Sequence, residues 1–342
     1  MSPSFPTQAF IDGALVDAAS GKTFPTWNPA TGQVLAQVAE CAEVDADRAI
    51  KAARRSFDSG VWSRTSPTHR KAVLQKFASL IESNLQTIAY LDSTDAGKTI
   101  FDCVNIDIPD VVATINWYAE AIDKVYDRIA PTGPENFGMI VKEPIGVVVA
   151  VLPWNFPAMM LGWKLGPALA AGNSIVVKPA EQSPLSAIFI AQLASEAGIP
   201  DGVFNVVPGY GEVAGKALAL SNFADLATFT GSTAVGKQFL RYSADSNMKK
   251  IVLECGGKSP QIVMKDAASY LDAVIPELVN AAFWNTGQNC TAGSRILVHE
   301  SIEKDLVAAL TAATKEVPVG DPAKEDRKST RLNSKSHSFI SY

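Results

Sequence analysis

Cysteine is sparse in this chain: four residues in 342, Cys41, Cys103, Cys255 and Cys290, with no Cys-x-x-Cys or comparable spacing. That excludes a disulfide scaffold and a zinc module, and no metal is expected. Histidine is scarcer, with only His69, His299 and His337. His69 falls in a first helical turn, His337 in a polar tail, and His299 has no acid partner, so a cysteine–histidine hydrolase lacks its base. Basic residues do not outnumber acidic ones, 30 against 35 for a net charge of −5, which argues against nucleic acid as the main partner. Long apolar runs are missing too. Ile145–Leu152 is only strand-sized and Pro153 ends it, so no membrane span is expected. Met1 to Asp12 shows no basic segment followed by an apolar one. No secretory signal is read, and the expected location is cytoplasmic, where a free thiol persists.

What is present describes a globular protein. Hydrophobic residues make up 47% and charged residues 19%, enough for a large core divided between two or more domains. Short strands and turns are predicted over residues 8–40, with a strand at Ala9–Ile11, a turn at Asp12-Gly13 and another strand at Val34–Val38. A helix is predicted after Val44, with Asp45 as its cap and an end near Gly60. A longer one starts at Ser66-Pro67, a cap followed by a first-turn proline. Its apolar positions from Val73 to Leu91 keep mostly steps of three and four, with a stop at Gly97, the signature of one buried face. Another helix is predicted over Asp107–Lys124.

Residues 125–144 read as a hairpin standing off the main body, serving either assembly or no special purpose. From Ile145 the pattern becomes regular. Apolar strands are predicted at 145–152, 174–178, 203–207, 226–230 and 250–254, with helices at about 159–171, 184–197, 211–220 and 233–244. Alternation of this kind implies a parallel sheet covered on both faces, with ligands at the carboxyl ends of its strands.

Several segments at those ends carry chemistry-bearing residues. Cys290 lies in Gly287-Gln288-Asn289-Cys290-Thr291-Ala292-Gly293-Ser294-Arg295, and Glu254 in Leu253-Glu254-Cys255-Gly256-Gly257-Lys258. A thiol can attack a carbonyl and hold the product as a thioester, and a carboxylate can activate the water that releases it. The plain alternative for Cys290 is a buried structural cysteine; Cys255, beside a Gly-Gly turn, fits that alternative better. Asn155, between Pro153 and Pro157, could aim its amide at an oxyanion or simply cap the next helix. Lys178 and Glu181 could hold ribose hydroxyls, or form an ordinary ion pair. The glycine turns Thr230-Gly231-Ser232 and Gly209-Tyr210-Gly211 could admit a phosphate to a helix end, or serve helix–sheet packing.

Five segments in this order, Pro-Trp-Asn-Phe-Pro at 153–157, Lys-Pro-Ala-Glu-Gln-Ser-Pro at 178–184, Phe-Thr-Gly-Ser-Thr at 229–233, Glu-Cys-Gly-Gly-Lys-Ser-Pro at 254–260 and Gly-Gln-Asn-Cys-Thr-Ala-Gly-Ser-Arg at 287–295, resemble the NAD(P)-dependent aldehyde dehydrogenase superfamily. The resemblance covers residues 8–325. It implies an α/β fold: a Rossmann-like parallel sheet forming the cofactor domain (1–124 and 145–257), a protruding β-hairpin for oligomerisation (125–144), an incomplete second α/β catalytic domain (258–325) and a non-native tail (326–342). It implies oxidation of an aldehyde to the carboxylate with NAD. Cys290 would form the thiohemiacetal and thioester, and Asn155 with the Cys290 backbone N–H would stabilise the oxyanion. Glu254, its pKa raised by burial, would activate water. Lys178 and Glu181 would hold the adenosine ribose, Glu181 favouring NAD over NADP. Trp154, Gly211, Gly215, Gly231, Ser232 and Val235 would complete the cofactor site.

Tyr118–Tyr126, Ile129–Gly133 and the Leu-Glu-Cys-Gly-Gly-Lys segment further resemble the branch that oxidises γ-glutamyl-γ-aminobutyraldehyde and aminobutyraldehydes in polyamine breakdown. In that branch Asp107 and Asp110 would attract a cationic tail at the tunnel mouth, while Phe156, Met160 and Trp163 would line the tunnel; the alternative for the aspartates is a solvated helix face. The family's Glu-x-Phe-Gly-Pro segment is missing, so the expectation is a C-terminally truncated chain of uncertain activity whose full-length parent is a homodimer or homotetramer. An inactive nucleotide-binding fragment is the alternative. A CoA-acylating relative is disfavoured by Glu254, since that chemistry needs no hydrolytic base.

Overall fold

The computed structural model describes residues 4–324; the tail read at 326–342 lies outside them. Two hairpins open the chain, β1 (Ala9–Ile11) with β2 (Ala14–Val16) and β3 (Thr23–Trp27) with β4 (Val34–Ala39). Helices α1 (Glu43–Ser59), α2 (Pro67–Ser83), α3 (Leu85–Ala96), the single turn α4 (Ile100–Asp102) and α5 (Ile108–Ala121) follow. A third hairpin pairs β5 (Arg128–Ala130) with β6 (Gly138–Ile140).

The alternating region then runs β7 (Val147–Val151), α6 (Pro157–Ala170), β8 (Ser174–Lys178), α7 (Leu185–Ala197), β9 (Phe204–Val206), α8 (Lys216–Leu220), β10 (Leu226–Gly231), α9 (Thr233–Ala244) and β11 (Lys250–Cys255). Beyond it come β12 (Pro260–Val263), α10 (Leu271–Phe283), β13 (Arg295–Val298) and α11 (Glu303–Lys315).

The main sheet has the order β11-β10-β7-β8-β9-β1-β2. Its first five strands are parallel, and β1 joins β9 antiparallel. Strand β7 explains the continuous apolar runs. Val148 and Ala150 enter one core with α2, α3, α5, α6 and α7, while Val147, Val149 and Val151 enter the other with α1 and α9. Side chains alternate across a strand, so a strand buried on both faces must be apolar at every position. A smaller core of Val263, Ile275, Leu278, Ile302 and Leu306 joins β12, β13, α10 and α11.

Three local expectations are corrected. Asp45 is not the cap of α1; it sits at the third helical position and accepts from the backbone of Ala42 (3.0 Å) and Ala19 (2.9 Å). The long helix predicted from Ser66 to Gly97 breaks at Asn84, whose side chain donates to the Leu80 carbonyl at 2.9 Å. Apolar spacing runs through the break unchanged, and an asparagine that bonds locally competes with the helical ladder. The helix predicted from Asp107 begins at Ile108, after a π-helical turn over Cys103–Asp107. The hairpin at 125–144 stands out as expected, with Ile129 71% and Met139 65% exposed. Among the described residues no helix is long and apolar enough to cross a membrane.

Candidate active site

The site is assembled from four strand ends, those of β7, β8, β10 and β11, and one irregular loop. At the end of β7 the turn Pro153-Trp154-Asn155-Phe156 leads into α6, and Asn155 is buried. Its side-chain amide donates to the carbonyl of Gln288 at 2.7 Å, two positions before Cys290. Among the described residues the second N–H of that amide has no acceptor.

Buried charge supports this turn from below. Lys98 Nζ forms a 2.6 Å ion pair with Asp107, donates to the Asn155 carbonyl at 3.2 Å and lies 3.8 Å from the centre of the Phe156 ring. Lys98 is 2% exposed and Asp107 not at all; removing one partner of such a pair costs roughly 3–5 kcal/mol. Asp92 accepts from the Ala158 backbone at 3.1 Å and so satisfies the first turn of α6, and Asp95 does the same for Leu185 at the start of α7. Burial, reinforced by repulsion from Asp107, pushes the Asp92 carboxyl up to about 7.

The loop carrying Cys290 follows α10. Asn285 (φ 53°, ψ 42°), Thr286 (φ 60°, ψ 23°) and Gly287 (φ 72°) are three consecutive left-handed residues. The β-branched Thr286 is a pronounced outlier there, at a cost of roughly 1–3 kcal/mol. Cys290 is half-buried, its Sγ 3.9 Å from Asn289 Oδ1. Trp154, Gly257, Lys258, Gln288, Asn289 and Cys290 border a cavity of about 60 Å³, and a Cβ on Gly257 would stand 3.8 Å from the Cys290 carbonyl. The Pro-Trp-Asn turn, the segment after Glu254 and the Cys290 loop therefore meet. Cys41 and Cys103 are different: both are buried, and burial drives both thiols well upward, which suits inert structural cysteines.

Glu254 pairs in register with Thr230 on β10. It is exposed, so the expectation of a buried carboxylate is corrected. Its electrostatic partner is Lys164 of α6, a half-buried ammonium lowered by burial and raised in part by Glu254. Sequence reasoning missed Lys164, because the two residues lie far apart in the chain and interact only once it is folded.

The expected cofactor residues cluster at the β8 and β10 ends. Lys178 is 1% exposed; its Nζ donates to the Pro179 carbonyl (2.7 Å) and to Glu181 Oε2 (3.1 Å). Burial lowers its pKa against the pull of Glu181. Gly215 packs on its stem, where a Cβ would stand 3.3 Å from Lys178 Cδ, and Gly211 faces open space. Gly231 is held to glycine by the Phe229 ring, 2.6 Å from where a Cβ would be. Ser232 caps α9 by accepting from Val235 N at 3.3 Å.

The expected substrate residues separate. Asp107 is corrected: committed to Lys98 and fully buried, it is closed to any solvent-borne tail. Phe156 and Met160 are buried in the main core, while Trp163 is 49% exposed. Trp163 borders an open groove of about 410 Å³ with Thr114, Trp117 and Tyr118, and its Nε1 donates to Asp110 at 2.6 Å. Helical spacing grouped the three side chains; the packing of α6 on α5 divides them.

Comparison with known proteins adds the lineage. Residues 15–338 match the model of the aldehyde dehydrogenase family. An aminoacetaldehyde dehydrogenase of Pseudomonas aeruginosa is 51% identical over 317 residues, 93% of this chain and 64% of that protein. A crystal structure of γ-glutamyl-γ-aminobutyraldehyde dehydrogenase from Burkholderia cenocepacia superposes with a TM-score of 0.93 at 50% identity, covering 96% of this chain and 66% of that one. An indole-3-acetaldehyde dehydrogenase crystallised with NAD+ gives 0.94 at 48% identity, with the same coverage. The chain thus spans a little under two thirds of the length of these relatives.

Proposed function

The chain belongs to the aldehyde dehydrogenase family, and on that premise we propose that it oxidises an aldehyde to the carboxylate through a covalent cysteine intermediate. The observation that carries this reading is the 2.7 Å hydrogen bond from Asn155 to Gln288, which sets an amide donor beside the loop of a half-exposed thiol. Cys290 Sγ, its S–H proton given up to solvent, attacks the aldehyde carbon, and the carbonyl π electrons pass to oxygen. The free N–H of Asn155 and the Cys290 backbone N–H stabilise that oxyanion. Lys178, Glu181 and Ser232 would hold NAD, which would supply the acceptor for the hydride lost from that carbon. The thioester left on Cys290 is hydrolysed by a water that gives its proton to Glu254, releasing the acid and the thiol.

The residues present fit the dinucleotide. Lys178 commits two of its three protons, leaving one for a ribose hydroxyl next to the partly exposed Glu181. Thr230 Oγ1 is buried with no hydrogen-bond partner among the described residues at the β10 end, beside the capped start of α9, a position suited to phosphate oxygens. Glu181 would repel a 2′-phosphate, which favours NAD over NADP.

The substrate proposed is an ω-amino or γ-glutamylamino aldehyde. The aromatic groove of Trp117, Tyr118 and Trp163, with the Asp110 carboxylate bonded to Trp163, offers a cationic tail aromatic surface and a counter-charge. The exposed hairpin 125–144 is proposed as an assembly surface. NADH formation from γ-aminobutyraldehyde and NAD by the purified protein tests the reading. Activity lost in Cys290→Ala supports it; no NADH from any aldehyde contradicts it for this chain.

A further inference from the structure

Two segments 130 residues apart meet at one side chain. Asn285 Nδ2 donates to the Asn155 carbonyl at 3.0 Å and to the Gln288 carbonyl at 3.1 Å. The Gln288 carbonyl also receives the Asn155 side-chain amide at 2.7 Å, and the Asn155 carbonyl also receives Lys98 Nζ at 3.2 Å. These bonds close a ring, Asn285 to Asn155 to Gln288 and back to Asn285. Asn285 is 2% exposed, so water does not replace its donors. Its Oδ1 is buried with no hydrogen-bond partner among the described residues. An amide kept in this orientation, despite an unsatisfied oxygen, is kept for its two N–H groups.

The backbone supports the same reading. Asn285, Thr286 and Gly287 are all left-handed, a path no helix or strand ladder maintains, and asparagine is among the residues that best tolerate it. Beside this turn the Trp284 ring packs on Phe156 with centroids 5.5 Å apart, a second contact between the same two segments.

We propose that Asn285 is a positioning residue that locks the Asn155 amide in register with the loop carrying Cys290. The inference rests on the roles given above to Asn155 and Cys290. Asn285 touches neither substrate nor cofactor; its two N–H groups fix the distance between an oxyanion donor and a nucleophile that come from different parts of the chain.

Asn285→Gly keeps the left-handed backbone and deletes the donor. Asn285→Asp keeps the shape and turns an acceptor toward two carbonyls; it carries the test if the glycine variant does not fold. Hydrogen exchange is measured on the 342-residue protein over peptides covering 153–157 and 284–290, together with steady-state aldehyde oxidation. Exchange is expected to rise in both peptides, about tenfold or more, because the two segments open as one unit. The turnover number is expected to fall about tenfold or more while KM for the aldehyde changes less than about threefold, the pattern of a contact used in the transition state. Faster exchange confined to 284–290, or a higher KM at unchanged turnover, overturns the proposal. If the unsubstituted protein oxidises no aldehyde, the functional reading fails while the exchange result still decides the role of Asn285.

Discussion

The side-chain amide of Asn155 donates to the backbone carbonyl of Gln288 across 2.7 Å, so the turn after β7 and the loop carrying Cys290 are one hydrogen-bonded unit. One N–H of the amide holds the loop; in the proposed mechanism the other would face the developing oxyanion. Replacing Asn155 by Ala removes both. The expected result is a turnover number lower by about 10²–10³-fold, the usual effect of losing one oxyanion donor, with a smaller change in KM. Steady-state kinetics on folded variant protein checks this, and turnover within about threefold of the parent would exclude Asn155 from that role.

Asp110 offers a test of substrate class. Its carboxylate accepts from Trp163 Nε1 at the rim of the aromatic groove. In Asp110→Ala, KM for a cationic ω-aminoaldehyde is expected to rise about fivefold to tenfold, the effect of losing a partly exposed charge contact of about 1 kcal/mol. KM for a neutral aldehyde of equal length should stay unchanged, and equal effects on both would refute a charge-reading Asp110.

The buried acid under α6 makes stability depend on pH. Asp92 ionises near 3.8 in the unfolded chain and near 7 in the folded one. Between those values the folded state holds the extra proton, so this group's stabilising contribution is full below about 4, falls as pH rises, and is gone above about 7. The slope is at most about 1.4 kcal/mol per pH unit. Asp92→Asn keeps an acceptor for Ala158 and removes the titration. Relative to the parent, the variant should gain stability at pH 8 and none at pH 4; denaturant unfolding at the two pH values measures the difference, and equal offsets would contradict the assignment.

How much of this was legible beforehand follows from where each signal resides. The central parallel strands were readable because burial on both faces leaves a near-continuous apolar run, as in Val147–Val151; the edge strand β11 was readable from its alternating Ile251 and Leu253 instead. The break at Asn84 was not, because the apolar spacing of α2 and α3 runs through it. Asp107 was read as a surface charge, since nothing local announces that Lys98 waits for it inside the protein. Asn285 left no trace beyond a turn-like Asn-Thr-Gly; its value comes from contacts made 130 residues away. Lys164 looked like any helical lysine until α6 brought it to Glu254. Motif residues at strand ends are thus visible in sequence, while the charges and amides that hold them become visible only when separate segments meet.

The covalent role proposed for Cys290 is tested most directly by trapping its acyl form. In Glu254→Gln, incubated with aldehyde and NAD, attack and hydride loss should proceed while hydrolysis stalls. Mass spectrometry should then find the peptide carrying Cys290 heavier by the acyl group of the aldehyde used, at close to one equivalent of NADH formed. NADH formation with Cys290 unmodified, or an acyl group on Cys255 instead, would contradict the account.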